Sequence, residues 1–291
     1  MPMVVIEFRE FLWRTRLAFF PVKDEVDRLL VERSFNEVLH IIQAGCPIES
    51  GRPGMVHYEA FPTSCIDLSK PIEELYRAMD PKSCRYEIRK AEKCRDQIEI
   101  GMNDERSRAD FFRIYNRFAA VKRHARPLTH SQLEALREHC DIFVAYLGGE
   151  PVCVHSLLRD EGLRRVRLHL SGSARLDNPE VARSSGFLNR YLHWHEIQLY
   201  KSRGMRIYDF GGLGRSDEVR SITRFKQSFG GAEVQEHSYT FAGPAGRLRL
   251  KAGAFLRSSL PRTSLGAGRH QDRKESRAAR PEISEGPREE G

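Results

Sequence analysis

One stretch near the C-terminal end of the chain constrains the fold more than any other. Arg206 to Phe210 has the pattern of a short buried strand, and it runs directly into two glycines. Glycines there let the backbone turn sharply and come close to a ligand. Ser221–Phe229 is predicted as a short helix that Gly230-Gly231 ends, and Ala232–Phe241 as the next strand. Together these segments form a compact unit that suits a site at the end of a strand.

Composition indicates an ordinary globular protein. The chain has 291 residues, enough for one large domain or two small ones, and 40% of them are hydrophobic and 30% charged. No apolar run approaches the roughly 18 residues that a membrane-spanning helix needs. The N-terminus mixes Glu7, Arg9 and Arg14 into its apolar residues, so no secretory signal is expected. We therefore expect a cytoplasmic protein.

Cysteine spacing and net charge narrow the chemistry. Six cysteines are spread singly, without paired spacing or a neighbouring histidine pattern, which predicts reduced thiols and no metal site. The net charge of +8 suits an anionic substrate, and it equally suits plain solubility. Both interpretations stay open.

The first hundred residues show mixed helix and strand signals. Asp24–Gln43 is predicted as one helix, because its apolar residues are near helical spacing and Gly45 follows it. Met55–Phe61 is predicted as a strand. A basic helix over Lys82–Arg95 places Arg85 and Arg89 on one face. That face either is solvated or binds an anion.

From residue 103 onward, two helices lead into a run of strands. The first helix is predicted to be capped at Ser107, and Thr129 or Ser131 caps the second. The glycine turn after residue 147 predicts a β-hairpin. The strand after the hairpin alternates apolar residues with three polar ones: Arg165, Arg167 and His169. These three share one face of the strand, which faces either a substrate cleft or water, and water is favoured.

A long helix then precedes the opening stretch. It is predicted from about Ser185 to Ser202 and has a broad apolar arc. His195 lies in the middle of that arc, which favours a hydrogen-bonded core histidine over a catalytic base. Beyond Phe255 the composition is rich in Arg, Ser, Gly, Glu and Pro, which predicts a disordered tail over 256–291.

Two motifs resemble the FemAB-like (BioF2-like) acyltransferases, a branch of the GNAT superfamily related to the peptidoglycan interpeptide-bridge aminoacyltransferases. One is Asp209-Phe210-Gly211-Gly212 followed by Phe225-Lys226-Gln227-Ser228-Phe229-Gly230-Gly231, and the other is Arg85-Tyr86-Glu87-Ile88-Arg89-Lys90-Ala91-Glu92-Lys93. The resemblance implies an α/β (α+β) fold with a GNAT-like mixed, mainly antiparallel sheet flanked by helices. Residues 103–245 would form that domain, and 1–102 a shortened, partial second GNAT-like half.

The resemblance also implies a set of site residues. Lys226 would stabilise charge on the acyl carbonyl oxygen, and Asp209 would act as a base or hold a backbone turn, with the turn favoured. Arg183 and Gly186 match the donor phosphate-binding motif, although Leu188 stands where the family has a small residue. Both acyl-CoA and aminoacyl-tRNA therefore stay open as donors. Substrate-binding positions are implied at four further residues: Arg85, Arg89, Tyr191 and Arg224.

The implied function is transfer of an acyl or aminoacyl group to an amine or hydroxyl of a cell-envelope precursor, in peptidoglycan or polysaccharide synthesis. No bound cofactor is expected beyond the donor substrate. The alternative is a non-catalytic GNAT-fold module that binds an anionic ligand or nucleic acid. The incomplete phosphate motif favours this alternative, and the intact Phe-Lys motif favours the enzyme.

Overall fold

The computed structural model describes residues 3–49, 51–122, 126–176, 179–214 and 220–259. The chain from Met1 to Leu250 is one compact unit, and a second unit begins at Lys251. The described elements of the first hundred residues are strands β1 (Val4–Glu10) and β2 (Trp13–Phe19), helix α1 (Lys23–Val31), strands β3 (Glu37–Ala44) and β4 (Met55–Asp67), helices α2 (Ile72–Ala78) and α3 (Cys84–Glu92), and strand β5 (Ile98–Met102).

The described elements of the remaining chain are helices α4 (Glu105–Val121) and α5 (His130–Ala135), strands β6 (Cys140–Leu147), β7 (Glu150–Asp160) and β8 (Arg165–Ser173), helix α6 (Pro179–Ser202), strand β9 (Ile207–Gly212), helix α7 (Arg220–Gln227), strand β10 (Ala232–Ala242) and helix α8 (Pro244–Ser259). The predicted tail thus starts inside α8, and residues 260–291 lie outside the described part of the chain.

The ten described strands form one sheet in the order β1-β2-β3-β10-β4-β9-β8-β7-β6-β5. Two neighbouring pairs, β2 with β3 and β8 with β9, are parallel, and the other neighbours are antiparallel. This confirms the predicted mixed, mainly antiparallel sheet flanked by helices.

Strand β10 joins the two halves of the chain. It lies between β3 and β4, and its pairing with β4 runs from Ala232 opposite Cys65 to Phe241 opposite Met55. Strand β9 also pairs with β4. The boundary predicted between residues 102 and 103 therefore does not separate two sheets.

The prediction of one helix over Asp24–Gln43 is wrong beyond Val31. A turn follows α1, in which the Glu37 carboxylate accepts a hydrogen bond from the Ser34 N–H at 3.1 Å. Strand β3 then buries Val38 and other apolar residues between β2 and β10. The apolar residues of this segment fit the spacing of a helix and of a buried strand alike, so periodicity alone could not separate the two.

Helix α4 begins earlier than the sequence indicated. Its N-cap is Asp104, whose side chain accepts from the Ser107 N–H at 2.8 Å, so Ser107 lies inside the first turn. The predicted cap at Thr129 is confirmed, because its hydroxyl accepts from the Gln132 N–H. Either side chain satisfies an N–H that the helix leaves open.

The largest hydrophobic core fixes α6 against the sheet. It contains Ile88 of α3, Phe143 of β6, Leu157 of β7, Leu192 of α6 and Tyr208 of β9, all of them buried. Because apolar burial is the main favourable term in folding, this core determines where the polar face of α6 lies. That face is the starting point of the candidate site.

Candidate active site

Strand β9 and helix α7 bring Lys226 to one end of the sheet. Strand β9 ends in two glycines, and Gly211 has a φ of 70°, a conformation that strains residues with a side chain. A Cβ at Gly212 would lie 2.8 Å from the ring of Phe61. The Gly212 carbonyl accepts a hydrogen bond from Lys226 Nζ at 2.7 Å. The two glycines thus let the lysine reach the end of the strand.

The surroundings of Lys226 favour its neutral form. Burial, with the positive charge of Arg167, lowers the pKa of Lys226 to about 8, although Asp209 opposes this. The ammonium group is therefore charged at neutral pH and loses its proton over a pH range close to it.

Asp209 is fully buried, and both of its oxygens are occupied. Oδ1 accepts from the Thr63 hydroxyl and from the Gly211 N–H at 2.7 Å. Oδ2 accepts from Arg165 Nη2 at 2.6 Å and from Gln43 Nε2 at 2.8 Å. Burial raises the pKa of Asp209, but the arginines of β8 and the threonine hydroxyl outweigh it and lower the pKa. These four hydrogen bonds favour the backbone-holding role over that of a base.

The polar face of β8 does not face water, contrary to the interpretation that the sequence favoured. Arg165 is 7% exposed and Arg167 9%. Arg165 donates two hydrogen bonds to Glu236, at 2.6 and 2.8 Å, in addition to its bond to Asp209. Buried charges are tolerated when each is paired and hydrogen-bonded. This ion network therefore ties β8, β9 and β10 together.

Arg167 and His169, the next residues on the same face, line a cavity. Among the described residues, no carboxylate lies within ion-pair distance of Arg167, and its Nε is buried without a hydrogen-bond partner. Its Nη1 donates to His169 Nδ1 at 3.3 Å. Burial, with the charge of Arg167, lowers the pKa of His169 to about 3. An unpaired buried guanidinium is costly, which indicates a place for an anionic group.

The cavity has a volume of about 550 Å³ and lies between β8, α6 and α7. Its described wall includes no carboxylate. The wall carries four cationic side chains: Arg167, Arg175, Arg190 and Lys226. Like charges around one concave surface raise its positive potential, so the cavity favours an anionic ligand.

A buried hydrogen-bond network reaches this cavity through His193 of α6. The His193 Nδ1 lies 2.8 Å from the Tyr208 hydroxyl, which donates to Glu196 Oε2 at 2.6 Å. Glu196 Oε1 lies 2.7 Å from His155 Nδ1, and His155 Nε2 lies 2.7 Å from the amide oxygen of Asn189. The side chains of His155, His193 and Glu196 are almost fully buried. The network is therefore a polar cluster inside the core with one ring on the cavity wall.

This network was not predicted, although the sequence holds a signal for it. Asn189, His193 and Glu196 are spaced four and three residues apart, which places them on one face of a helix. His155 is a lone histidine within the apolar run of β7. His195, which the sequence favoured as a core histidine rather than a catalytic base, is half-buried and lies outside the cavity wall.

Three of these side chains also have the composition of a metal site. Ligand atoms of His155, His193 and Glu196 all lie within 4.8 Å of one another. Each already makes hydrogen bonds within the network, and the Tyr208 hydroxyl lies between His193 and Glu196. A metal ion bound there would compete with these hydrogen bonds. The expected absence of a metal remains a prediction.

The predicted donor phosphate site does not lie at a helix start. Helix α6 begins at Pro179, a residue suited to a first helical turn, so the predicted start near Ser185 is wrong. Arg183 and Gly186 lie inside the helix, where backbone N–H groups are used by helical hydrogen bonds. Both residues are exposed. Their contact with a phosphate remains a prediction.

The other predicted substrate residues lie at three different places. Arg85 of α3 and Arg224 of α7 line one open surface groove of about 640 Å³, together with Arg77. Arg89 lines a different groove beside Trp194. Helix α7 thus presents Lys226 to the cavity and Arg224 to the groove. Tyr191 packs against the main core and does not line the cavity wall described above.

Comparison with known proteins identifies the family. Residues 81–227, just over half of the chain, match a family model described as an acetyltransferase (GNAT) domain. The chain belongs to the GNAT acetyltransferase family. Its members transfer acyl groups from donors such as acyl-CoA, so the protein is an acyltransferase. This decides between the two function classes that the sequence left open.

Solved structures, FemX among them, share the fold of this chain. FemX is 10% identical in sequence, and the match covers 85% of this chain and 85% of FemX with a TM-score of 0.57. The structure titled L-PGS, from Bacillus licheniformis, is 11% identical, covers 88% of this chain and 86% of that chain, and has a TM-score of 0.50. At these identities the likeness establishes a shared fold. A search of curated proteins found no match to this sequence.

Among the described residues, no helix combines the length and the apolar character that crossing a membrane requires.

Proposed function

We propose that the protein moves an acyl or aminoacyl group from acyl-CoA or aminoacyl-tRNA to an amine or hydroxyl of a cell-envelope precursor. The observation that carries this proposal is the cationic cavity with Lys226 at the end of β9. An acyl transfer passes through a tetrahedral adduct with negative charge on the former carbonyl oxygen, and a fixed cation stabilises that charge. Lys226 is suited to this role, because it is half-buried at the cavity wall and remains charged at neutral pH.

Asp209 supports the site indirectly in this proposal. Its carboxylate holds the Gly211 N–H and the Arg165 guanidinium, and so fixes the turn that the Lys226 ammonium group contacts. Both carboxylate oxygens of Asp209 are already hydrogen-bonded within the protein, so neither is available to contact the substrate.

The groove on the other face of α7 is assigned to the phosphates of the donor. Arg77, Arg85 and Arg224 line it, and the buried Nε of Arg85 lacks a hydrogen-bond partner. Guanidinium groups bind phosphate oxygens through several donors at once. Both CoA and the end of a tRNA carry such phosphates. In this assignment Arg85 and Arg224 are substrate-binding residues. Arg89 lies on the same helix as Arg85 but outside this groove, so it serves as the control position.

The cell-envelope acceptor rests on the FemAB-like resemblance. FemX and L-PGS share the fold of this chain, and the cavity that would receive the acceptor is cationic. Anionic groups are common in cell-envelope precursors. An anionic acceptor would therefore complement the wall that Arg167 and Arg190 form.

A thermal-shift experiment tests the donor assignment. Acetyl-CoA, longer acyl-CoAs and aminoacyl-tRNA are added in separate experiments. A donor that binds the folded state and is present at about a hundred times its Kd stabilises that state by about 2.7 kcal/mol. The melting temperature should then rise by several degrees with one donor class. Arg85→Gln should abolish most of the shift, whereas Arg89→Gln on the same helix should keep it. Absence of a shift with every donor would contradict the proposed function.

A further inference from the structure

The hydrogen-bond network fixes which nitrogen of His193 carries a proton. Burial raises the pKa of Glu196, but His155 and His193 outweigh it and lower the pKa to about 2, so Glu196 is ionised and only accepts. The single hydroxyl proton of Tyr208 therefore goes to Glu196, at 2.6 Å. Toward His193 the hydroxyl can then only accept, so the proton of the neutral ring lies on Nδ1. This leaves the lone pair on Nε2.

The second histidine on the cavity wall has the opposite arrangement. Arg167 Nη1 can only donate, and it meets His169 Nδ1 at 3.3 Å. A neutral His169 therefore carries its proton on Nε2 and offers a donor. No described residue hydrogen-bonds His193 Nε2, and the His193 ring lines the cavity that Lys226 also lines. Of the two histidines, His193 is the one arranged to accept a proton from a ligand.

We propose that His193 Nε2 is the general base of the transfer, and that Tyr208 and Glu196 are positioning residues that fix its tautomer. The inference rests on the proposed acyltransferase function and adds a catalytic residue to it. Asp209 is not available as the base, because its oxygens are all hydrogen-bonded within the protein, and His193 fills that role instead.

The step balances in atoms and charge. The acceptor nitrogen or oxygen attacks the acyl carbonyl carbon and forms the new C–N or C–O bond, and its proton passes to His193 Nε2. Collapse of the adduct breaks the bond to the carrier thiol or hydroxyl oxygen, and the leaving group takes that proton back from His193. The Lys226 ammonium group faces the oxygen that carries negative charge in between.

Charge around the ring keeps the lone pair available. Burial, with the neighbouring His155 and Lys226, lowers the pKa of His193 to about 4, so the imidazole is neutral at pH 7. Negative charge that develops on the substrate raises the proton affinity of the ring during the step. The titratable and charged groups that face His193 come from five elements: Arg190 and Glu196 of α6, His155 of β7, Tyr208 of β9, Lys226 of α7, and Arg167 and His169 of β8.

The kinetic test uses the full chain with acetyl-CoA as donor and thiol release as readout. Two primary amines serve as acceptors: ethylamine, which is protonated at neutral pH, and 2,2,2-trifluoroethylamine, which is largely unprotonated. His193→Gln should lower the ethylamine rate by roughly 100-fold or more. The trifluoroethylamine rate should fall much less, because the nitrogen of its adduct is more acidic and loses its proton to water more readily. His195→Gln, the same change two residues away and outside the cavity wall, should leave both rates near wild type.

The outcomes distinguish the inference from the function it rests on. An equal loss with both amines, or no loss with either, would overturn the role of His193 as base. If the wild-type protein releases no thiol with either amine, either acetyl-CoA is not the donor or these amines are not acceptors, and a measurement without turnover decides about His193. That measurement is the ¹⁵N–¹H spectrum of the histidine rings in the wild-type protein at pH 7.

The spectrum should show His193 protonated on Nδ1 and not on Nε2. Glu196→Gln, which replaces the carboxylate that lies 3.3 Å from Nδ1 and accepts the Tyr208 proton, should shift the ring toward a mixture of tautomers. A proton on Nε2 in the wild type would overturn the inference. The same holds for stoichiometric binding of added zinc that perturbs both His155 and His193, since this would make the cluster a metal site.

Discussion

At the scale of single residues, the site depends on charged side chains that are largely shielded from solvent. Lys226 keeps its ammonium group against a backbone carbonyl, and Arg167 keeps its guanidinium without a carboxylate partner among the described residues. Both arrangements cost free energy in the empty protein. A ligand that brings negative charge into the cavity offsets that cost, which is why these two side chains, rather than the fully paired Asp209, indicate the reaction centre.

Lys226 gives a prediction about rate. Lys226→Met should lower turnover by roughly 100-fold or more, the scale of losing one oxyanion donor. The KM of the donor should change much less, because the interaction is made mostly in the transition state.

In the wild type, turnover should decline as the pH rises through about 8, where the lysine loses its charge. Lys226→Arg should recover part of the rate and hold it flat above that pH. Near-normal turnover of Lys226→Met would contradict the role.

The same lysine predicts a pH dependence of stability. Its folded pKa of about 8 lies below the ordinary value of 10.5, so the unfolded chain binds more protons between these values. The free energy of unfolding should therefore rise with pH across this window, as the penalty of the buried charge disappears. Lys226→Met removes the penalty at every pH. Urea unfolding of both proteins at pH 7 and 10 checks this, and a difference that is independent of pH would contradict it.

At the scale of elements, the glycine pair Gly230-Gly231 after α7 allows a close contact between two backbone segments. Gly230 has a φ of 77°, and a Cβ there would lie 2.5 Å from the backbone carbonyl oxygen of Ala78. Gly204, after α6, has a φ of 79° and open space around it. Gly204→Ala should thus cost only the backbone strain, about 1–2 kcal/mol. Gly230→Ala should cost this and about 1–3 kcal/mol more for the forced contact. Urea unfolding midpoints at unchanged slope measure both, and equal losses would contradict the account.

Local patterns predicted the elements that local chemistry determines. The strand, glycine turn, helix and strand around Lys226 lie within about two residues of their predicted bounds, because glycines and alternation mark them directly. Strand β3 was missed, since its apolar spacing fits two structures. The polar face of β8 was assigned to water because its partners, Asp209 and Glu236, come 44 and 71 residues later in the chain. The His193 network likewise joins three elements that only tertiary packing brings together.

At the scale of the whole molecule, the position of β10 makes the two predicted halves one structure. Strand β10 pairs with β3 and β4, which precede it by more than 150 residues, and β9 pairs with β4. Composition and periodicity carry no information about pairings this distant. The resemblance to a tandem arrangement of two GNAT-like halves suggested separable domains, whereas the continuous sheet favours one cooperative unit from Met1 to Leu250.

A truncation distinguishes these possibilities. Residues 103–245 expressed alone would keep β9 and β10 but leave both edges of β10 and one edge of β9 unpaired, and exposed strand edges promote aggregation. The same cut removes Ile66 and Leu68 from the main core. We therefore expect this fragment to aggregate or to lack a cooperative melting transition, as judged by calorimetry and size-exclusion chromatography. The matched control is a chain that ends at Ser259, which retains every described strand and should melt in one transition near the temperature of the full protein. A soluble 103–245 fragment with a sharp transition would instead establish the predicted boundary at residue 102 as that of an independent domain, with β10 held in place by contacts other than its strand partners.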